Sequence, residues 1–286
     1  MRDFTIRTMS RLEFDLALDW AASEGWNPGL FDAAPFRSVD PDGMLVGLLD
    51  NEPVAVISAL RYDDAFGFIG FYIVRPDCRG QGYGWKIWEA GMAHLGSRTI
   101  GLDGVLAQQE NYSRSGFVLA HRNIRYQGCG GSTAKSRSLQ EDHRLVSLQD
   151  LPFDTLADYD QSFFPASRCD FLKSWISQPK TVALGLIGSE SLLGYGVRRS
   201  CRSGFKIGPL FADSPVLAAT LLDALCVGTE SEAPLFLDVP ECNPAAVELA
   251  EACGMRRVFE TARMYTGIAP DLALARSYGI TSFELG

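Results

Sequence analysis

The chain has 286 residues, 47% of them hydrophobic and 21% charged, a balance that supports a real core in one large or two modest domains. A formal net charge of -9 argues against nucleic acid as a partner and suits a small cationic or amine substrate. No apolar run approaches the roughly 20 residues that span a bilayer, and Met1-Arg2-Asp3-Phe4 opens without a signal-peptide core, so no membrane partner and a soluble, cytoplasmic protein are expected.

In chain order, Glu24-Gly25-Trp26-Asn27-Pro28-Gly29-Leu30-Phe31-Asp32 joins two helical segments. Met44 to Leu49 and Pro53 to Leu60 are apolar runs around the turn Asp50-Asn51-Glu52, which predicts a β-hairpin. There follow an expected strand over Phe68 to Val74, a helix over Trp85 to Leu95, a strand over Thr99 to Leu102, a short helix near Tyr112 and a strand over Phe117 to Tyr126. Gly128 to Ser136 is glycine-rich and polar with no apolar period, so we place a first unit at 1–128, a linker at 129–140 and a second unit at 141–286.

The second unit repeats the order. Helices are predicted over Phe153 to Phe164 and Cys169 to Ile176, then strands over Thr181 to Ile187, Leu192 to Arg198 and Phe205 to Leu210. A helix over Val216 to Cys226, a strand over Pro234 to Val239, a helix over Pro244 to Cys253 and a strand over Arg256 to Tyr265 complete it. Ser115-Gly116-Phe117 and Cys253-Gly254-Met255 occupy matching places, each ending a helix on glycine and starting a strand. The seven cysteines are scattered and odd in number, and the three histidines sit in no ligand spacing, so free thiols and no metal are expected.

Chemistry concentrates after the strand Phe71-Tyr72-Ile73-Val74, where Arg79-Gly80-Gln81-Gly82-Tyr83-Gly84 opens an amphipathic helix. Glycines there let backbone N–H groups approach an anion, and the helix N-terminus adds partial positive charge. The turn suits a pyrophosphate, but lacks the Gly-Lys-Ser/Thr of a phosphate-binding loop.

Val74-x-Pro76-x-x-Arg79-Gly80-x-Gly82-x-Gly84 resembles the acyl-CoA signature of the GNAT superfamily of N-acetyltransferases. The resemblance implies an α/β (α+β) fold of two GNAT-like domains, each a mostly antiparallel mixed sheet flanked by helices. It also implies acetyl-CoA as co-substrate, Ile73 and Val74 facing the pantetheine, and Arg79, Gly80, Gln81, Gly82, Tyr83 and Gly84 at the phosphates. Tyr112-Ser113-Arg114-Ser115-Gly116-Phe117 resembles the family segment whose tyrosine protonates the leaving thiolate, which makes Tyr112 the general-acid candidate beside the alternative of a packing role.

Asp103, after Ile100-Gly101-Leu102, is the candidate base, and Asp103-Gly104 reads equally as a turn pair. Trp26 and Asn27 are candidates for the acceptor wall, or for a capping loop with a packed tryptophan. The matching turn of the second unit, Pro209-Leu210-Phe211-Ala212-Asp213-Ser214, lacks the glycines, so that half is expected to have lost CoA binding. The expected activity is direct acetyl transfer to the amine of a small molecule. A noncatalytic acyl-CoA-binding sensor is the alternative.

Overall fold

The computed structural model describes residues 3–130, 142–189 and 191–286, so the linker expected at 129–140 lies, from 131 onward, outside the described residues. The first half comprises β1 (Phe4–Thr8), α1 (Arg11–Ser23), α2 (Ala33–Val39), β2 (Met44–Leu49), β3 (Glu52–Arg61), β4 (Phe66–Val74), α3 (Tyr83–Leu95), β5 (Thr99–Val105), α4 (Gln109–Arg114) and β6 (Phe117–Cys129). The second comprises β7 (His143–Ser147), α5 (Phe153–Asp160), α6 (Cys169–Ile176), β8 (Val182–Gly188), β9 (Ser191–Ser200), β10 (Phe205–Ala212), α7 (Pro215–Cys226), β11 (Pro234–Pro240), α8 (Pro244–Ala252), β12 (Arg256–Thr266) and β13 (Ser277–Gly279).

The sequence pattern missed β1, β7 and β13. All three are short, and β1 and β7 lie at the two outer edges of the sheet, where five residues carry too little alternation to register. The helix expected to run to Phe164 stops at Asp160. Pro165 disfavours helical backbone at the residue before it, and Phe163 and Phe164 turn into the core instead. The entry to α1 follows local rules: Ser10 and Glu13 form a capping box, and Glu13 also binds Arg7 of β1.

All thirteen strands belong to one mixed sheet, and its order, β1-β2-β3-β4-β5-β12-β6-β11-β10-β9-β8-β7, interleaves the halves. β5 pairs with β12 of the second half, and β11 pairs with β6 of the first. At the centre β6 and β12 run antiparallel, with Asn123 opposite Thr261. The two parallel pairs, β4 with β5 and β10 with β11, sit at equivalent places on either side of this seam. The halves are therefore mixed α/β units of one plan, as expected, but they exchange neighbours rather than close as separate sheets.

Polar registration fixes the seam. Arg263 on β12 stands opposite Asp103 on β5 and binds it at 3.1 and 2.6 Å. Arg125 on β6 stands opposite Asp238 on β11 and binds it at 2.7 and 2.8 Å. These bidentate pairs are equivalent across the seam, and each ties one half to the other. Burial alone would raise the Asp238 carboxyl, but the Arg125 charge and its hydrogen bonds outweigh that and hold it below the usual carboxylate range.

Candidate active site

β4 and β5 pair only from Phe66 opposite Thr99 to Ile69 opposite Leu102. Beyond that point β5 follows β12 as far as Val105, while β4 follows β3 as far as Val74. A bulge drives the divergence: between Ser58–Gly70 and Val56–Ile73, β3 spends one residue where β4 spends two, and Phe71 takes the left-handed φ of 44°. Such a conformation is costly for a side chain bearing Cβ and persists only when packing holds it. Phe71 is held by Phe36 and Phe14, at ring distances of 5.0 and 6.1 Å. The strands open a cleft of ≈ 620 Å³, a size suited to a small-molecule site.

One end of the cleft is the N-terminus of α3. Gly80 and Gly82 have φ of 72° and 86°, and a Cβ built at either would meet nothing within 4 Å, so the turn faces open space. No side chain caps this helix, which leaves its first N–H groups and the positive end of its dipole for an anion. Gly84 serves packing instead, since a Cβ there would come within 2.9 Å of the Tyr72 hydroxyl. Ile73, Val74, Arg79, Gly80, Gly82 and Gly84 line the cleft, whereas Gln81 and Tyr83 do not. Gln81 donates to the Asp77 carbonyl at 3.0 Å, and Tyr83 packs on Phe4 at 4.9 Å. The Arg79 guanidinium, expected at the phosphates, donates to the Val74 carbonyl at 2.9 Å and pairs with Glu24 across the cleft mouth.

Tyr112 lines the cleft from α4. Its ring lies over Gly104, where a Cβ would come within 2.3 Å of it, so a glycine missed by sequence reasoning makes room for the phenol. Trp88 backs the ring at 5.5 Å. Burial, then the neighbouring Tyr72, push the phenol above its ordinary value, so it stays protonated and able to donate.

The other end is built by both halves. Trp26 lines it, joined by Phe259 and Thr261 from β12 and by Phe283 and Glu284 from the segment after β13. Arg125 organises this wall: it holds Asp238, donates to the Trp26 carbonyl at 2.7 Å, and lies 4.6 Å from the Phe283 ring centre. Asn27 corrects its expectation, because its amide exchanges two hydrogen bonds of 2.9 Å with the Ser203 backbone and it does not line the cleft.

Asp103 departs further from what its position in the sequence promised. It lies within β5 rather than after the strand, and its carboxylate accepts from Asn123 at 2.7 Å, Thr261 at 3.3 Å and Arg263 twice. Three of these bonds fall on Oδ1 and one on Oδ2. The side chain is also fully buried, so the carboxylate stands as the counter-ion of Arg263 in the seam and offers no exposed oxygen to the cleft.

The second half has an equivalent divergence, since β10 and β11 pair only over Phe205–Leu235, Lys206–Phe236 and Ile207–Leu237. Here β13 fills the opening by pairing along β10, and the Ile280 N–H donates to the Asp238 carbonyl at 2.8 Å. The following helix, α7, has proline in its first turn and Ser214 capping Leu217 at 3.4 Å. No metal-ligand cluster is found among the described residues, and no helix among them is long and apolar enough to cross a membrane.

Two family patterns match the chain, the Acetyltransferase (GNAT) family over residues 10–117 and the Acetyltransferase (GNAT) domain over residues 156–279. A holothin acyltransferase from Pseudoalteromonas sp. (strain SANK 73390) is 28% identical over 284 residues, covering 99% of this chain and 95% of that protein. A crystal structure of a putative acetyltransferase from Pyrococcus horikoshii superposes with TM-score 0.81 at 22% identity, over 99% of this chain and 96% of that one. A tandem GNAT protein from the clavulanic acid biosynthesis pathway superposes with TM-score 0.65 at 11% identity, over 94% of this chain and 100% of that one.

Proposed function

The chain belongs to the GNAT acetyltransferase family as a tandem of two such domains, and on that premise we propose that its first half transfers an acetyl group from acetyl-CoA to the amine of a small molecule. The observation that carries the reading is the parting of β4 from β5 toward an uncapped helix N-terminus whose glycines face open space. An exposed strand edge suits an amide-bearing arm, and the helix end suits a pyrophosphate. Acetyl-CoA, as co-substrate, supplies the thioester. Ile73 and Val74 on β4 receive the arm, and the Gly80–Gly84 turn holds the anion. Tyr112, protonated and lining the cleft, donates to the departing thiolate.

A walled region beside Tyr112 favours transfer over passive binding of acyl-CoA. Trp26, Phe71, Phe259 and Phe283 present apolar walls, with carboxylates between them. Holothin, for which the 28% relative is named, is the first acceptor to test. Calorimetry with acetyl-CoA, followed by CoA release over holothin and a panel of primary amines, tests the reading. Gly82→Val should abolish binding, because a β-branched residue resists φ of 86° and crowds the anion's approach. Unchanged affinity in a folded Gly82→Val protein would refute the turn as the CoA site.

A further inference from the structure

We infer that Glu284 contacts the acceptor amine and accepts its proton, so that the segment after β13, which belongs to the second half in sequence, completes the active site of the first. The inference rests on the acetyltransferase reading above. Glu24, Asp103 and Glu284 are the carboxylates that line the cleft among the described residues. Glu24 is paired with Arg79, and Asp103 is paired with Arg263 and also accepts from Asn123 and Thr261. Glu284 differs from both. Its side chain belongs to a residue only 5% exposed, its Oε2 accepts from the Ser282 hydroxyl, and its Oε1 is buried with no hydrogen-bond partner among the described residues. A buried carboxylate oxygen without a donor is unfavourable, and because Glu284 lines the cleft, a turn of its side chain toward a bound amine would give Oε1 an N–H donor.

The segment is held too firmly for this placement to be incidental. The Glu284 N–H donates to Ser282 Oγ at 3.0 Å, the Gly286 N–H to the Ser282 carbonyl at 3.1 Å, and the Tyr62 hydroxyl to the Leu285 carbonyl at 2.7 Å. Phe283 lies against Arg125, and Leu285 is fully buried in the main core. Gly70 on β4 accommodates the crossing, for a Cβ there would come within 2.3 Å of the Glu284 carbonyl. That glycine stands where β4 leaves β5, so the Glu284 backbone crosses at the divergence, and the residue lines the cleft with Phe259, Thr261 and Trp26.

The step balances without a further reagent. The amine nitrogen forms a C–N bond to the acetyl carbon, the C–S bond breaks, and the thiolate takes the Tyr112 proton. The nitrogen's proton passes to Glu284 Oε1, and solvent returns it to the tyrosinate. The full chain and its Glu284→Gln and Glu284→Asp variants test this by two separate measurements, acetyl-CoA affinity by calorimetry and CoA release with the amine panel and holothin. Expected are acetyl-CoA affinities within about twofold of wild type, a kcat lower by about 10²- to 10⁴-fold in Glu284→Gln, and partial recovery in Glu284→Asp. A Glu284→Gln kcat within threefold of wild type overturns the proposal. So does a wild type that binds acetyl-CoA yet acetylates none of the acceptors, while leaving the cofactor site standing. Failure of wild type to bind acetyl-CoA overturns the underlying reading instead, and this proposal with it.

Discussion

Tyr112, the proposed proton donor, lines the cleft: burial keeps its phenol protonated, and Gly104 lets the ring reach the cleft. Tyr112→Phe should lower kcat by about 10²- to 10⁴-fold while leaving acetyl-CoA affinity intact, and wild-type turnover would return the ring to packing. His121 lies outside the cleft, lining a small cavity with Arg263. Burial, then the Arg263 charge, lower its imidazole from 6.5 to about 4, so the unfolded chain binds a proton there more readily than the folded one. Its contribution to stability is therefore full above pH 6.5 and is lost as pH falls to about 4. Urea midpoints of His121→Asn should fall less than those of wild type over that window, and parallel profiles would contradict the assignment.

Elements meet at the seam through ion pairs that the register of β5–β12 and β6–β11 makes inevitable once those strands are neighbours. Removing one partner of a buried pair typically costs about 3–5 kcal/mol, because the other charge stays buried and unpaired. Asp103→Asn and Asp238→Asn should therefore lower the urea midpoint by similar amounts, although only the first residue lines the cleft. If Asp103 were instead the proton acceptor, Asp103→Asn would keep wild-type stability and lose turnover, which is the result that would refute the seam role. The same interleaving means that a chain ending in the linker leaves β5 without its β12 neighbour and Asp103 without Arg263. The two halves that look separable along the chain share one sheet.

The whole molecule carries two equivalent openings with different fates. In the first half, glycines with positive φ and an uncapped helix leave room for an anion. In the second, β13 occupies the strand edge and Ser214 caps α7. Titration should find one acetyl-CoA per chain. A stoichiometry of two would require β13 to leave β10 and would refute the division of labour between the halves. From the filled opening the chain runs on to the cleft of the first half, so the second half furnishes Phe259, Thr261, Phe283 and Glu284 to its lining.

What could be read from sequence alone was local in origin. A strand running into Arg79-Gly80-Gln81-Gly82-Tyr83-Gly84 and then a helix is a property of consecutive residues, because positive φ, helix start and apolar period are each settled within a few positions. The repeated order of elements and the weak turn at Pro209 to Ser214 were legible for the same reason. Asp103 and Glu284 mark the limit. Whether a carboxylate is spent on an arginine or left facing a cleft depends on residues far away along the chain. Arg263 reaches Asp103 only through the exchanged strand, and Glu284 lies by Gly70 only because β13 first docks on β10. Strand partners are chosen by burial and register across the sheet, and no window of neighbouring residues contains that choice.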